Sequence, residues 1–229
     1  MELKVFPEIK FSLDRAALLK KVRIDPESEQ AGEILALAEQ VEKIARPKAL
    51  YAVAYVEEKR EETVRIDKIT FTSRVLSVNL KKVNRVFPYI CTCGSEIDQA
   101  GMGGNDVLLR FWVEAIKEMA LASARTFLAN HLQKSYGLNS LAFMSPGHSA
   151  KDVWPIEQQK LLFSLLGDVK GLIGVELTSS CLMLPTKTVS GIFFPTRIDY
   201  QACRLCQREN CPGRVVAYDA SFARSYRMK

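Results

Sequence analysis

The stretch IGVELTSSCLMLPTKTVSGIFF, residues 173–194, decides the fold class of this chain. It holds three short runs rich in apolar and β-branched residues, at 173–177, 181–184 and 189–194, and polar or proline-containing turns separate them. Short runs of this composition between turn residues are typical of β-strands. They predict an antiparallel or mixed sheet rather than a series of βαβ units.

Further strands are predicted upstream of this stretch. Residues 49–56 and 63–72 are rich in aromatic and β-branched residues, and the charged run EEKREE lies between them as an exposed turn. The run RVFPYICTCG, residues 85–94, indicates a buried strand. Because Pro88 lacks a backbone N–H, we expect this strand at an edge of the sheet or at a bulge.

Helical patterns occupy much of the remaining chain. A short helix is predicted with Ser12 as its cap, and Ser28 is the expected cap of a second helix that Pro47 ends. Pro155 suits the first turn of another helix, which runs to Gly167. Helices combined with an antiparallel or mixed sheet give an α+β fold.

A long helix is predicted over residues 105–136, after a glycine-rich segment and before Gly137. Apolar residues recur along it at helical spacing, so we expect it to cross the core. The predicted core stripe consists of Leu108, Phe111, Ala115, Met119 and Ala122.

Composition indicates an ordinary globular protein. Hydrophobic residues make up 48% and charged residues 25% of the 229 residues, and one continuous domain over 1–229 is expected. No run resembles a signal peptide or approaches the roughly 20 apolar residues of a membrane span, so a cytoplasmic location is predicted. The net charge is +6, part of it in a basic tail over 197–229. No nucleic-acid motif accompanies that charge, which favours a solvated face over nucleic-acid binding.

Residues 145–194 carry a resemblance to a known family. They contain SPGH at 145–148, a helical segment, and the Leu-Thr, Met, Pro and Thr-Val-Ser-Gly elements of the opening stretch. In this order and spacing they resemble the activation domain of cobalamin-dependent methionine synthase, also called its reactivation domain. CTCGSEID, residues 91–98, extends the similarity more weakly, so the chain resembles a stand-alone form of that domain.

The resemblance implies a bent antiparallel or mixed sheet and a role in cobalamin chemistry. In the full-length enzyme the domain binds S-adenosylmethionine, whose methyl group restores oxidised cobalamin by reductive methylation. We therefore expect an accessory protein for cobalamin-dependent methyl transfer, which acts by reduction, by methylation, or by both. Its implied partner is a corrinoid protein or a cobalamin-dependent methyltransferase that carries the cobalamin.

The candidate ligand residues have the types that such a ligand needs. S-adenosylmethionine requires hydrogen-bonding groups, an apolar wall and close backbone approach, which glycine turns allow. The candidates are Glu96, Ser145, Gly147, His148, Lys187, Ser190, Gly191 and Phe193.

Three positions depart from the family pattern. Phe143 stands where the family has an arginine, and His148 and Phe193 stand where it has tyrosines. A guanidinium offers a fixed fork for a carboxylate that phenylalanine cannot replace, so binding of S-adenosylmethionine is left open. His148 could act as a hydrogen-bond donor, an axial ligand or a proton relay.

A second candidate site is a cysteine cluster at about 200–215. Cys203, Cys206 and Cys211 lie within nine residues of each other, and a chain without an export signal favours metal binding over disulfides. Three thiolates can hold one face of an iron–sulfur cluster or three corners of a zinc site. Spacing leaves the fourth ligand open, with Cys91 or Cys93 as candidates.

The metal bound by the cysteines would distinguish two classes of function, a redox-active accessory protein and a binding module without catalysis. The reductive chemistry that the resemblance implies favours iron–sulfur over zinc, because a cluster could supply an electron. The alternative is a zinc-stapled binding module without catalysis, which grips a corrinoid protein or methyltransferase. Three arginines near the cysteines would offset thiolate charge: Arg204, Arg208 and Arg214.

Overall fold

An antiparallel sheet forms the centre of the computed structural model, which describes residues 2–148, 153–211 and 213–226. Its strand order is β4-β3-β2-β5-β9-β6, with β1 beside the first half of β2, and β7 and β8 form a separate hairpin. Residues 1, 149–152, 212 and 227–229 belong to the predicted domain, motif series, cysteine segment and basic tail, but lie outside the described residues. The strands are β1 (Glu2–Phe6), β2 (Lys48–Lys59), β3 (Thr63–Ile66), β4 (Ile69–Thr72), β5 (Arg85–Thr92), β6 (Leu141–Met144), β7 (Glu176–Leu177), β8 (Met183–Leu184) and β9 (Thr188–Pro195).

The described residues contain eight α-helices. A 3-10 turn at Ile156–Gln158 precedes α6, and another at Ala202–Leu205 begins the C-terminal segment. No helix in the described ranges is both long enough and apolar enough to cross a membrane. The helices are α1 (Arg15–Val22), α2 (Glu29–Ile44), α3 (Arg74–Asn79), α4 (Glu96–Gln99), α5 (Val107–Tyr136), α6 (Gln159–Leu166), α7 (Val169–Ile173) and α8 (Ala220–Ser225).

Strand β5 lies in the middle of the sheet, which corrects the expectation that Pro88 places it at an edge or bulge. β5 pairs with β9 continuously from Phe87 to Thr92. On its other side, β2 pairs at residues 48–51 and 54–55 but not at the two positions that face Phe87 and Pro88. The missing N–H of proline therefore falls at a local gap in one ladder, and the central position is retained.

The second half of α5 packs on one face of the sheet. Ala124, Leu128 and Leu132 are buried there against Tyr51, Tyr89 and other strand residues. Helices α3, α6, α7 and α8 cover the opposite face, and α1 and α2 pack against the first half of α5. Strand alternation assigns the side chains of β9 to these faces: Gly191 and Phe193 to the α5 face, and Ser190, Ile192 and Phe194 to the other.

The buried stripe of α5 is not the one predicted. Leu108 is 44% and Phe111 54% exposed, and Ala122 is also exposed; only Ala115 of the predicted stripe is fully buried. Apolar residues recur at helical spacing on more than one side of α5, so the sequence pattern does not decide which side is buried. The side that packs against α1, α2 and the sheet carries a buried residue every four positions. These residues are Trp112, Ile116, Ala120, Ala124, Leu128 and Leu132.

Local capping also differs from the expectations. Asp14, not Ser12, caps α1 by accepting the backbone N–H of Ala17, because its carboxylate lies at the first turn. Ser28 does occupy the cap position of α2, but its hydroxyl donates to Asp25 instead. The predicted strand at 173–177 begins as the end of α7, whose cap is Asp168. Residues 63–72 form the hairpin β3–β4 instead of one strand.

Candidate functional site

The turn that follows β6 is held in one conformation by a glycine. Gly147 has φ +72°, and its backbone N–H donates to the carbonyl of Trp154 at 2.9 Å. A Cβ on Gly147 would lie 2.5 Å from the Ile156 side chain. The predicted Ser-Pro-Gly element is therefore a tight turn against the start of the α6 segment, with His148 at its end.

Gly191 brings β6, β9 and β5 unusually close together. A Cβ there would meet the Met144 carbonyl oxygen at 2.3 Å, the Ser145 hydroxyl at 2.6 Å and the Tyr89 ring at 3.1 Å. Only a residue without a side chain fits this position. The consequence is that the Ser145 hydroxyl is packed beside the Tyr89 ring on the α5 face of the sheet.

A row of aromatic rings extends from this point. Tyr89 stacks on Phe193 with ring centroids 4.2 Å apart, and Phe193 contacts Phe143 edge-on at 5.9 Å. The His148 ring lies 6.0 Å from Phe143. The guanidinium carbon of Arg125, from α5, lies 5.0 Å above the centre of the Phe143 ring. We call these five residues the aromatic–arginine cluster.

Burial and the charge of Arg125 together affect the protonation states in this cluster. Desolvation, with the Arg125 charge as the second cause, lowers the pKa of His148, which favours a neutral ring near pH 7. Burial raises the pKa of Tyr89 and of Cys91, and Arg125 opposes both shifts. The cluster is therefore a protonated phenol, a neutral imidazole and one fixed positive charge.

Two hydroxyls in the cluster region have no well-aligned hydrogen bond to any described residue. Tyr89 is fully buried and Ser145 is 9% exposed. The Ser145 hydroxyl lies near that of Tyr89, but the two do not form a well-aligned hydrogen bond, and neither oxygen has another partner in the described ranges. Buried polar groups are nearly always paired, so orphaned hydroxyls side by side indicate a position for a polar ligand atom or water.

Three predicted ligand residues are placed elsewhere. Ser190 is buried on the opposite face of β9 from Gly191, because successive strand residues alternate. Glu96 and Lys187 lie at the other end of the β5–β9 pair, roughly 20 Å along β9 from Phe193. The structure thus brings together Ser145, Gly147, His148, Gly191 and Phe193 from the predicted set, and separates those three.

Lys187 belongs to a network of charges around the buried Lys117, and Glu96 forms a separate ion pair. The Lys117 ammonium contacts Asp98 and Glu114 at 2.6 Å each, while Lys187 lies 3.5 Å from Glu114. Glu96 pairs with Lys48 at 2.7 Å, and its second carboxylate oxygen is buried without a partner in the described residues. A cleft of about 480 Å³ opens beside Lys117.

The C-terminal cysteines lie on a segment held together by arginines. Arg214 donates to the backbone carbonyls of Cys203, Cys206, Arg208 and Val216. Its role is thus to satisfy carbonyl groups of the loop, and the predicted offset of thiolate charge is not its observed contact.

Arg204 likewise makes other contacts than the predicted ones. It pairs with Asp219 at 2.7 Å and stacks on the Phe222 ring at 4.0 Å. Tyr226 of the same segment donates to Asn79 at 2.6 Å, which fixes the segment against α3. The segment is therefore folded onto the body of the domain through its arginines and aromatic rings.

The thiols of Cys203, Cys206 and Cys211 do not form a metal-binding group in the described residues. No group of three or more His, Cys, Asp or Glu side chains suited to a metal ion occurs in the described parts of the chain. Cys91 is buried against α5, on the face opposite to the one that Leu205 covers. Cys93 lies near Lys117, its thiol contacts the Gly94 carbonyl, and burial raises its pKa to about 12. The structure does not bring either residue to Cys203.

Sequence reasoning did not single out Arg125 or Tyr89. Arg125 follows Leu121 by four residues on α5, and Leu121 packs against the sheet. A charged residue on a sheet-facing helical stripe is a signal that could have drawn attention to it. Tyr89 was visible only as one apolar residue of a buried strand.

Comparisons with known proteins identify the fold. No protein-family model and no curated protein matches the sequence. A solved structure, the MetH reactivation domain bound to AdoHcy, is similar over 88% of this chain and 81% of that one, with a TM-score of 0.61 and 15% identity. The predicted α+β class and the resemblance to the methionine synthase domain are confirmed at the level of fold.

Proposed function

We propose that this chain is an accessory protein for cobalamin-dependent methyl transfer, which reactivates the corrinoid cofactor of a partner protein. Reactivation would proceed by reductive methylation, with S-adenosylmethionine as methyl donor and a separate reductant as electron donor. The observation that carries this proposal is the fold shared with the MetH reactivation domain over most of both chains. That relative is described with AdoHcy bound, the product that S-adenosylmethionine leaves after methyl transfer.

The aromatic–arginine cluster is the part of the chain best suited to such a ligand. Phe143 and Phe193 provide an apolar wall, and the Ser145 and Tyr89 hydroxyls provide unused hydrogen-bonding groups beside it. We propose that Ser145, Gly147, His148, Gly191 and Phe193 line the ligand cleft. Ser190 would act only through the position of β9, and Glu96 and Lys187 only on a ligand or partner that extends along that strand.

The cysteine segment does not fit a metal as the structure arranges it. The thiols of Cys203, Cys206 and Cys211 do not form a metal-binding group within the described part of the chain. Their clustering in sequence supports an iron–sulfur cluster or zinc only if the segment closes around the metal. No step of the proposed reaction is therefore assigned to a metal, and metal analysis of protein purified without oxygen tests the point.

The proposed function is tested with a defined acceptor. Cobalamin-dependent methionine synthase truncated before its reactivation domain is oxidised, then incubated with this chain, a chemical reductant and S-adenosylmethionine labelled in its methyl group. We expect label on the cobalamin only when the chain is present, and calorimetry should show that the chain binds S-adenosylhomocysteine. Absence of both results refutes the proposal.

The same experiment distinguishes the alternative binding module. A module would bind the truncated synthase without transferring label, would not bind S-adenosylhomocysteine, and would contain stoichiometric zinc. Brown protein that contains iron would instead indicate an iron–sulfur cluster. Gly32→Ala is a suitable control variant for both assays, because a Cβ at this exposed position on α2 contacts nothing within 4 Å.

A further inference from the structure

Arg125 is a partly buried cation with no acidic partner among the residues that the structure describes. Its guanidinium lies over Phe143, and no carboxylate of the described residues lies within ion-pair distance of it. The ionic contacts of α5 are made instead by Glu114, Lys117 and Glu118. A guanidinium that is partly removed from water and stacked on a ring is held in a fixed plane, with its N–H groups available to an anion.

The groups beside Arg125 are suited to the same anion. The orphaned hydroxyls of Tyr89 and Ser145 are at least nine-tenths buried, and Arg125 acts electrostatically on Tyr89. His148 also feels the Arg125 charge and is held mainly neutral, so it adds a hydrogen-bonding group without a second charge. One fixed cation and neutral donors match a single carboxylate better than a phosphate, which carries more charge.

We propose that Arg125, with the hydroxyls of Tyr89 and Ser145, forms the carboxylate-binding subsite of the ligand cleft. The subsite selects ligands that carry an amino-acid carboxylate next to an apolar or aromatic portion, which packs on Phe143 and Phe193. Because Arg125 comes from α5 and lies over the Phe143 ring, position 143 on β6 does not need to supply the arginine that the resembled family has there. For an adenosyl ligand this inference rests on the proposed function, because it assigns one end of that ligand.

The test compares ligands that differ only in the carboxylate. Calorimetry with the full chain uses S-adenosylhomocysteine and its decarboxylated analogue, against wild type, Arg125→Gln and Arg110→Gln. Arg110 is an exposed arginine on the same helix and serves as the matched charge control. We expect wild type and Arg110→Gln to prefer the carboxylate by about 10- to 100-fold, and Arg125→Gln to lose this preference.

A second readout does not depend on an adenosyl ligand. The chain has two histidines, so ring resonances of His148 can be followed by NMR with His131 as internal reference. Sodium propionate should shift the His148 signals saturably in wild type but not in Arg125→Gln. Arg125→Lys keeps the charge without the planar fork, and it replaces Arg125→Gln in both assays if that variant fails to fold. Its preference for the carboxylate ligand should fall between those of wild type and Arg125→Gln.

Each outcome decides between the two proposals. Equal carboxylate preference in wild type and Arg125→Gln would overturn the Arg125 assignment and leave the proposed function standing. If no adenosyl compound binds but propionate shifts His148 only when Arg125 is present, the subsite stands and the proposed ligand is wrong. If neither the adenosyl compounds nor propionate bind, the subsite is refuted.

Discussion

Replacing Gly191 by alanine should destabilise the domain strongly, because backbone and side-chain atoms already fill the space that a Cβ would need. The new Cβ would lie 2.3 Å from the Met144 carbonyl oxygen and 2.6 Å from the Ser145 hydroxyl. The carbonyl belongs to β6, which is paired to β9 at Phe143–Phe193 and Met144–Ile192, so it cannot withdraw without opening that ladder. Overpacking of this kind costs about 3 kcal/mol, the upper part of the usual range, because backbone must move.

The assay is thermal unfolding followed by circular dichroism. For a domain of this size, about 3 kcal/mol corresponds to a fall in Tm of roughly 6–12 °C. Gly32→Ala is the matched control: nothing lies within 4 Å of its Cβ, and alanine in a helix stabilises by about 0.5–1 kcal/mol relative to glycine. A Gly191→Ala variant whose Tm lies within about 2 °C of wild type, a difference of about 0.5–1 kcal/mol, would refute the close approach of β6 to β9.

Further predictions concern the charge network and the cysteine segment. The double variant Asp98→Asn, Glu114→Gln removes both carboxylate partners of Lys117, whose side chain is 3% exposed. It should lower the free energy of unfolding in urea by about 2–4 kcal/mol. Lys117→Met should cost less, because the carboxylates that it leaves unpaired are half-exposed. Desolvation opposes ionisation, but the hydrogen bonds that Lys117 donates to Asp98 and Glu114 raise its pKa. Its stabilisation is therefore complete below its ordinary pKa of 10.5 and disappears as pH rises through the higher folded value. Wild type should therefore lose stability above pH 10.5, and Lys117→Met should lose less. Arg214→Gln removes the donors of four loop carbonyls and should speed iodoacetamide labelling of Cys203 several-fold, as read by mass spectrometry.

The sequence predicted those parts of the fold in which a local pattern has one solution. The run 189–194 alternates as a strand and is β9, and the segment after Pro155 forms a helix that ends before Gly167. The family resemblance pointed to the shared fold because it rested on an ordered series of turns. Turns of fixed geometry, such as that at Gly147, constrain the backbone strongly even at low identity.

The remainder depended on contacts between distant residues. Pro88 could be placed in a central strand only because the gap in its ladder is provided by β2, more than thirty residues earlier in the chain. The stripe of α5 was chosen by its partners, since Phe111 and Trp112 are both apolar and only one can face the core. The sequence did not indicate Arg125 for the same reason, because Phe143 and His148, which lie next to it, belong to β6 and the turn that follows it.

The C-terminal segment has a consequence for how the protein is made. Tyr200, Leu205, Ala223 and Tyr226 are buried against the sheet face that also holds α6 and α7. On the ribosome these are the last of the described residues to emerge, so the part of that face that they cover stays exposed after the strands themselves are complete. Exposed apolar surface on a nascent sheet invites aggregation, and nonsense mutations between β9 and α8 should therefore yield insoluble chains rather than shortened, folded domains.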